Sequence, residues 1–582
     1  MTYYCRLLQP VLLLFMFIFL QTTPPALFAG ETAPVEPNAH EGKYVFVNQV
    51  GYLPEMTKWV VSSEPAAEFV IIEEKTSREI YHGLLEAVMD PTSNQKIWRG
   101  EFTGLQNPGI YRIYIDNVGC SYPFSIDDRV YDHPLTLATR FLYLQRCGIH
   151  LEDEETGFAH PPCHLEDAFI ARQDEFYEEG EKILSTGGWH DAGDYGKYVP
   201  TTTVTVAHLL TAFALWPEKF YDGQFRIPES GNGIPDILDE ARFGLEWLFS
   251  MQRPDGAVYH KLSGLRWPSI GLEPDFDRQP RYIFGISTAG TGKLAATMAI
   301  AARVYRDYCP ELAKKAEKAA LKAWQFLSAN DFIWDHTAFD DEGSGAYGCS
   351  TDWPDRLWAA LELAVLTGDD DFLSAVVDCD RLTAGAEMLP ATAPGWTDAS
   401  LFGLFHYARS GKSPELKKIF AGKITKLADS YLAAAENSGY HYTLNYDDFY
   451  WASNKEGLAR GMTMIFAGLL REKPAYRETA LAQLNFVLGF NPLSKCFVSG
   501  LGSNPVRSPH HRLSAHFRRP VPGLLAGGPN NKAESNIEPR NEGPFSYADY
   551  QASYSANEPA IDYNAALIFM TAAFAGIKED GK

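Results

Sequence analysis

From Tyr131 onward the chain carries helical apolar periodicity in twelve stretches, and the connections between them alternate in length. The stretches lie near 131–146, 201–216, 234–251, 287–308, 311–329, 354–367, 370–379, 398–410, 414–437, 454–471, 473–489 and 560–577. Gly368 is placed to end the sixth, and Asp369 or Asp370 to cap the seventh. Connections after odd-numbered helices are long, about 147–200, 252–286, 330–353, 380–397, 438–453 and 490–559. Those after even-numbered helices are mostly a few residues, with 217–233 the exception. In consecutive antiparallel hairpins every odd-to-even connection emerges at the same end. Closed into a ring, such helices make a mainly α, two-layered (α/α)6 barrel with one face covered by long loops. Long loops on a rigid scaffold are where sites are built.

The segment before the helices has a different texture. Residues 43–127 hold short β-type runs (VFVNQVG, WVVSS, EFVIIEE, REIYHG, WRGEFTG, GIYRIYID, SYPFSI) separated by Pro, Gly, Asn and Ser. That spacing predicts one small β-sandwich. Further upstream, Arg6 precedes the apolar run Val11–Leu20, and Ala26-Leu-Phe-Ala29 offers a cleavage region, so residues 1–29 read as an export signal. The expected layout is signal 1–29, linker 30–42, sandwich 43–127 and helical domain 130–580. The apolar run is short for a membrane span, and no later stretch reaches roughly 18 apolar residues. The mature chain is therefore expected to be secreted, extracellular or periplasmic, with no membrane association and as a monomer.

Charge narrows the partners. With 51 Lys and Arg against 74 Asp and Glu, the net charge is −23. A surface of that sign repels nucleic acid and anionic lipid, and neutral or cationic substrates remain. Aromatics make up 13% of the residues, enough either for a large core or for a groove whose flat rings stack on sugars. Beyond Cys5 the seven cysteines (120, 147, 163, 309, 349, 379 and 496) are odd in number and scattered, which does not read as a disulfide framework.

Two segments in the long connections carry chemistry. Gly187-Gly-Trp-His-Asp-Ala-Gly-Asp-Tyr-Gly-Lys-Tyr198 sets Asp191 and Asp194 three apart among four glycines. This is either a shared carboxylate site, one holding the other as base, or a polar calcium-like turn. In the last connection, Glu558 stands just before the twelfth helix, where Pro559 suits a first helical position. Taken alone, Glu558 answers the helix dipole. The same connection holds Ser508-Pro-His-His-Arg512, a substrate clamp, a metal site or a solvated loop. Loop parity puts all of these on one face. A carboxylate pair opposite a third carboxyl group across a groove suits glycoside hydrolysis, with an acid for the leaving oxygen and a base for water.

These residues resemble glycoside hydrolase family nine, the inverting cellulases, in the subgroup with an N-terminal immunoglobulin-like domain. The likeness runs from Val45-Phe-Val-Asn-Gln-Val-Gly-Tyr52 to Asn564-Ala-Ala566 and rests on GGWHDAGDYGKY, GSNPVRSPHHR and YADYQASYSANEPAIDYNA. It implies Asp194 as general base assisted by Asp191, and Glu558 as general acid with a raised pKa. It implies His510 and Arg512 as holders of the sugar supported by Asp549, and Tyr554 and Trp451 as groove residues. It also implies a structural zinc on Cys147, Cys163, His164 and His190, two thiolates and two imidazoles suited to tetrahedral coordination. Calcium in such proteins is expected around Ser350–Asp355 with Asp398. Here Arg356 stands where an acidic ligand is usual, so it either repels the ion or replaces its charge. Gly271–Tyr282 departs from the usual loop walling the groove.

The expected function is β-1,4-glucanase (cellulase) action on β-linked glucan polysaccharide or oligosaccharide. The enzymatic alternative is an exo-acting β-glucosidase or β-glucosaminidase on short oligosaccharides. The non-enzymatic one is a glycan-binding protein on a dead hydrolase scaffold.

Overall fold

The computed structural model describes residues 41–334, 344–383, 389 and 392–577. The expected export signal and nearly all of the linker lie outside the described residues.

Two β-sheets come first. One orders Val45–Phe46, Trp59–Ser62, Gln95–Glu101 and Glu86–Asp90; the other orders Gly51–Tyr52, Phe124–Ile126, Gly109–Ile115, Glu68–Glu73 and Glu79–Leu84. Alternation explains why Gly109–Ile115 is a strand, since Tyr111, Ile113 and Ile115 point into a core with Val60, Phe69, Phe102 and Phe124. Glu86–Asp90 was not expected as a strand. It is a half-exposed edge whose pairing to Gln95–Glu101 comes from the neighbour and not from its own residues.

The sandwich is welded to the helices by the VFVNQVG segment. Asn48 Nδ2 donates to Asn485 Oδ1 at 2.8 Å, and Gln49 Oε1 accepts from the amides of Ser503 and Asn504 at 3.0 and 2.8 Å. These two side chains are buried, and each pairs with the helical part, so the seam is specified by hydrogen bonds as well as by packing.

The helices are α1 (Asp132–Leu144), α2 (Val199–Leu215), α3 (Asp236–Ser250), α4 (Thr288–Val304), α5 (Pro310–Ala329), α6 (Trp353–Thr367), α7 (Asp371–Ser374), α8 (Ser400–Ser410), α9 (Pro414–Asn437), α10 (Ser453–Leu470), α11 (Pro474–Val487) and α12 (Ile561–Phe574). The even-numbered ones touch in the sequence α2–α4–α6–α8–α10–α12 and back to α2, closing an inner ring. Composition assigns the layers. All fourteen residues of α12 are buried, which suits a helix apolar on every side, whereas α9 buries a single stripe of Leu416, Phe420, Ile424, Ala428, Leu432 and Ala435. Each Leu, Ile or Phe so buried stabilises the fold by about 1.5–3 kcal/mol.

Helix ends follow local chemistry. Pro310, Pro414 and Pro474 open α5, α9 and α11, where the missing N–H costs nothing. Ser287 Oγ caps α4 by accepting from Gly290 N, and Gly368 closes α6 with φ +74°.

Two expectations need correction. The seventh helix, expected over 370–379, is a single turn, Asp371–Ser374. Asp378 Oδ1 accepts the Arg381 amide at the start of a separate turn, Cys379–Thr383, so the expected stretch is divided between two short helices. Second, the connections 147–200 and 252–286 are not plain loops. They hold a four-stranded sheet of Phe169–Ile170, Arg281–Ile286, Tyr259–Gly264 and Lys197–Tyr198 across the barrel mouth.

Candidate active site

All six long connections converge on one end of the ring, as their parity required. There they enclose a cleft of about 1140 Å³ lined by Asp191, Asp194, Glu558, His510, Arg512, Trp451 and Tyr554 from the expected set. Trp267, Tyr347, Trp396, Lys455 and Asp562 line it as well.

The GGWHDAGDYGKY segment is held rigidly. Trp189 is fully buried against Gly244, and its Nε1 donates to Glu240, which pairs with buried Arg146 at 2.9 Å. Lys197 Nζ donates to the Ser185 and Gly187 carbonyls and pairs with Asp167 at 2.8 Å. Between these anchors Asp191 N donates to Gly196 O at 2.9 Å, closing a tight turn that carries both carboxylates.

Gly193 is the point where three segments meet. Its N–H donates to Glu558 Oε1 at 3.2 Å, and its carbonyl accepts from Arg512 N at 3.1 Å and Arg512 Nη1 at 2.7 Å. A Cβ here would lie 2.0 Å from His510 O and 2.8 Å from Glu558 Oε1, so only glycine permits the approach. Ile561 N donates to Asp191 O at 2.8 Å, locking the start of α12 to the same turn.

Electrostatics separate the three carboxyl groups. Burial and the Asp562 charge push Asp191 well above the usual carboxylate range, opposed by the hydroxyls of Thr201 and Tyr347. Thr201 donates to one Asp191 oxygen and Tyr347 to the other at 2.6 Å, so both lone-pair edges are held. Burial raises Asp194, and the Arg512 and Arg281 cations draw it back. Glu558 has no such pair of cations. Burial and the nearby Asp194 charge push it up to about 8 against Arg512 and the Gly193 amide. All three are raised, but two cations oppose the shift at Asp194 and one at Glu558, a difference that suits these two to opposite proton-transfer roles.

The remaining expected residues fall into place by contact. His510 Nδ1 donates to Gln551 O at 2.7 Å, leaving Nε2 as the acceptor of a neutral ring that burial favours. His511 does not line the cleft: its ring bridges Gln145 and Ser514. Asp549 is also set back. It pairs with Lys495 at 2.6 Å and accepts the Arg507 and Ser508 amides, holding the strand that leads to His510. Trp451 and Tyr554 face each other at 6.0 Å between ring centres, and Trp451 Nε1 donates to Tyr563 at 3.1 Å.

Cys147, Cys163, His164 and His190 come together behind the turn, the one such His/Cys/Asp/Glu group among the described residues. Cys163 Sγ lies 3.9 Å from Cys147 Sγ and 3.8 Å from His190 Nε2, Cys147 Sγ 3.5 Å from His164 Nδ1, and the two imidazole nitrogens 3.3 Å apart. A tetrahedron built on Zn–S of about 2.3 Å and Zn–N of about 2.0–2.1 Å has edges of about 3.8, 3.6 and 3.3 Å, so the donors fit a zinc ion. Burial pushes His190 down to about 4, keeping it neutral as a ligand must be. Asp277 Oδ2, 3.6 Å from His164 Nε2, stands where an outer carboxylate orients such a ring.

The calcium region does not fit its ion. Asp355 is paired with Lys293, and Asp352 with Arg356 at 2.9 Å. Arg356 further donates to the Leu327 and Asn330 carbonyls at 2.6 and 2.8 Å. A guanidinium and an ammonium already occupy the acidic edges that a divalent cation needs. Among the described cysteines, Cys120, Cys147, Cys163 and Cys496 are buried, and Cys309, Cys349 and Cys379 partly so.

Sequence reasoning missed Tyr347, Thr201, Lys455 and Asp562. Asp562 sits inside the last motif and reads there as a first-turn residue of α12. Tyr347 offers no signal, since it reaches Asp191 from a connection 156 residues away and with φ +47°.

Residues 131–571 match the model for glycosyl hydrolase family 9, and residues 40–120 that for a cellulase N-terminal ig-like domain. Endoglucanase D of Acetivibrio thermocellus is 30% identical, over 97% of this chain and 86% of its own. A metagenome-derived family 9 endoglucanase structure superposes with a TM-score of 0.88 at 44% identity, over 91% of this chain and 98% of that one. A zinc-binding triple mutant of the family 9 endoglucanase J30 gives 0.85 at 34% identity, over 90% and 100%.

Proposed function

The chain belongs to glycosyl hydrolase family 9, and on that footing we propose that it is an endo-β-1,4-glucanase that inverts the anomeric carbon, with Asp194 as base and Glu558 as acid. The observation that carries this reading is the Gly193 amide on Glu558 Oε1, which holds one carboxyl group against the turn bearing the other two. Protonated Glu558 gives its proton to the leaving glycosidic oxygen. Asp194, whose burial is opposed by the Arg512 and Arg281 cations, takes a proton from the water that attacks the opposite face. Asp191, fixed by Thr201 and Tyr347, orients that water without competing for the role. His510 and Arg512 hold the sugar over the turn, and Trp451 and Tyr554 supply stacking surfaces.

Cys147, Cys163, His164 and His190 hold zinc in this reading. The ion supplies a tether that keeps the segment before Asp191 in place, and no step of the reaction passes through it. Export is inferred from Arg6, Val11–Leu20 and Ala26–Ala29. Among the described residues no helix is long and apolar enough to cross a membrane.

Early products from soluble β-1,4-glucan, followed by proton NMR alongside viscosity, test the assignment. An α-anomer with viscosity falling ahead of reducing ends is expected. A β-anomer, or mono- and disaccharide as sole early products, overturns it.

A further inference from the structure

One buried charge in the cleft has no task in the mechanism above. Asp562, in the first turn of α12, is 1% exposed, and neither carboxylate oxygen receives a hydrogen bond among the described residues. Burial lifts it to about 6, while the Lys455 ammonium and, more weakly, the amides of Asp562 itself and Tyr563 in the same first turn draw it down. A buried carboxylate with both oxygens empty is costly unless something supplies donors.

Lys455, 9% exposed, lines the same cleft from the first turn of α10. Its Nζ lies where a Cβ on Gly395 would meet it at 2.2 Å, under the connection that walls the cleft on that side. No hydrogen bond and no ion pair within 4.0 Å ties it to Asp562 or to any other described residue. The two therefore face the cleft close enough to feel each other's charge, yet too far apart to satisfy each other.

A carboxylate only accepts hydrogen bonds and an ammonium only donates them. A group that both donates and accepts completes the pair, and a sugar hydroxyl is such a group. We propose that Asp562 and Lys455 together bind ring hydroxyls of the glucosyl unit lying over the Asp191–Asp194 turn, making them substrate-binding residues. The side is set by the cleft wall itself, where Asp562 and Lys455 stand with Asp191 and Asp194. The bland alternative is an Asp serving the α12 dipole; that role, however, does not require a lysine opposite or a place in the cleft lining.

The inference rests on the glucanase reading and is tested by kinetics on cellotetraose with the full chain. Asp562→Asn and Lys455→Met are each expected to lower kcat/KM about 10- to 100-fold. The double variant is expected to match the worse single, because both groups hold the same hydroxyl. Singles within about twofold of the parent, or losses that multiply in the double, overturn it. Should Asp562→Asn fail to fold, the parent protein with a thio-linked cello-oligosaccharide decides: a hydroxyl within about 3.2 Å of both Asp562 and Lys455 supports the pair. Hydroxyls beyond about 3.5 Å of either refute it. A parent protein inactive on cellotetraose and polymer alike defeats the glucanase reading itself, a separate outcome.

Discussion

Replacing Gly193 by alanine adds one carbon at the junction of the three catalytic segments, and its effect can be worked out from the surroundings. The new Cβ would stand 2.0 Å from His510 O, and real Cβ atoms keep at least 3.0 Å, so the segments must separate by 1.0 Å or more. The neighbour is a backbone carbonyl and cannot swing aside as a side chain does. His510 N donates to Asn557 O at 3.0 Å, so the displacement is carried to the residue before Glu558. The Gly193 amide bond to Glu558 Oε1 is strained by the same movement. A misplacement of about 1 Å at reacting groups costs on the order of 100-fold in rate. The assay is kcat on soluble β-glucan together with a thermal melt. Gly187→Ala serves as control: its Cβ meets nothing within 4 Å, but its φ of +84° imposes left-handed strain of about 1–2 kcal/mol. The control is expected to melt a few degrees lower with kcat nearly unchanged, and Gly193→Ala to lose about 100-fold in kcat. Parental kcat in Gly193→Ala, or equal losses in both variants, refutes the claim that close approach of these segments sets the catalytic geometry.

Three further outcomes are expected. Tyr347→Phe removes the donor on Asp191 Oδ2, worth about 1.5–3 kcal/mol to a charged acceptor, so kcat falls about 10- to 100-fold. Without that donor Asp191 binds its proton more tightly, and the acidic limb of the pH–rate profile moves to higher pH; an unmoved limb contradicts the role. Glu558→Gln loses about 10²- to 10⁴-fold on polymer but little on an aryl glycoside whose leaving group needs no proton. In the parent the active, protonated form of Glu558 is present below about 8 and is lost as pH rises through it, so an alkaline limb near there belongs to this residue and vanishes in the variant. Metal analysis should find one zinc per chain, with His190→Ala or strong chelation removing it and lowering the melting temperature by several degrees; a metal-free parent protein rules the ion out.

Much of the architecture was legible because it is local. The stripe on α9 and the all-apolar run of α12 announce an outer and an inner helix from spacing alone. Gly368, Pro310, Pro414 and Pro474 mark helix ends because their torsions permit little else. The seventh helix is shorter than its periodicity predicts, and Asp378 opens a separate turn at Cys379–Thr383 through the Arg381 amide, a side-chain contact that apolar periodicity does not register. The sheet at the barrel mouth was missed because its strands, Tyr259–Gly264 and Arg281–Ile286 among them, are made by pairing across the long connections.

The same division runs through the site. Asp191, Asp194 and Glu558 draw notice in the chain because they sit in Gly-rich or Pro-marked stretches of the long connections, where a polar turn or a helix-dipole role is an equal reading, and loop parity puts them on one face. Which of them binds a proton at neutral pH was decided only in three dimensions. Arg281 reaches Asp194 from another strand, the Asp194 charge raises Glu558, and Tyr347 grips Asp191 from 156 residues away. Burial and the charge of neighbours set a pKa, and both are properties of the closed ring; the order of residues along the chain names the carboxylates and leaves their roles to the fold.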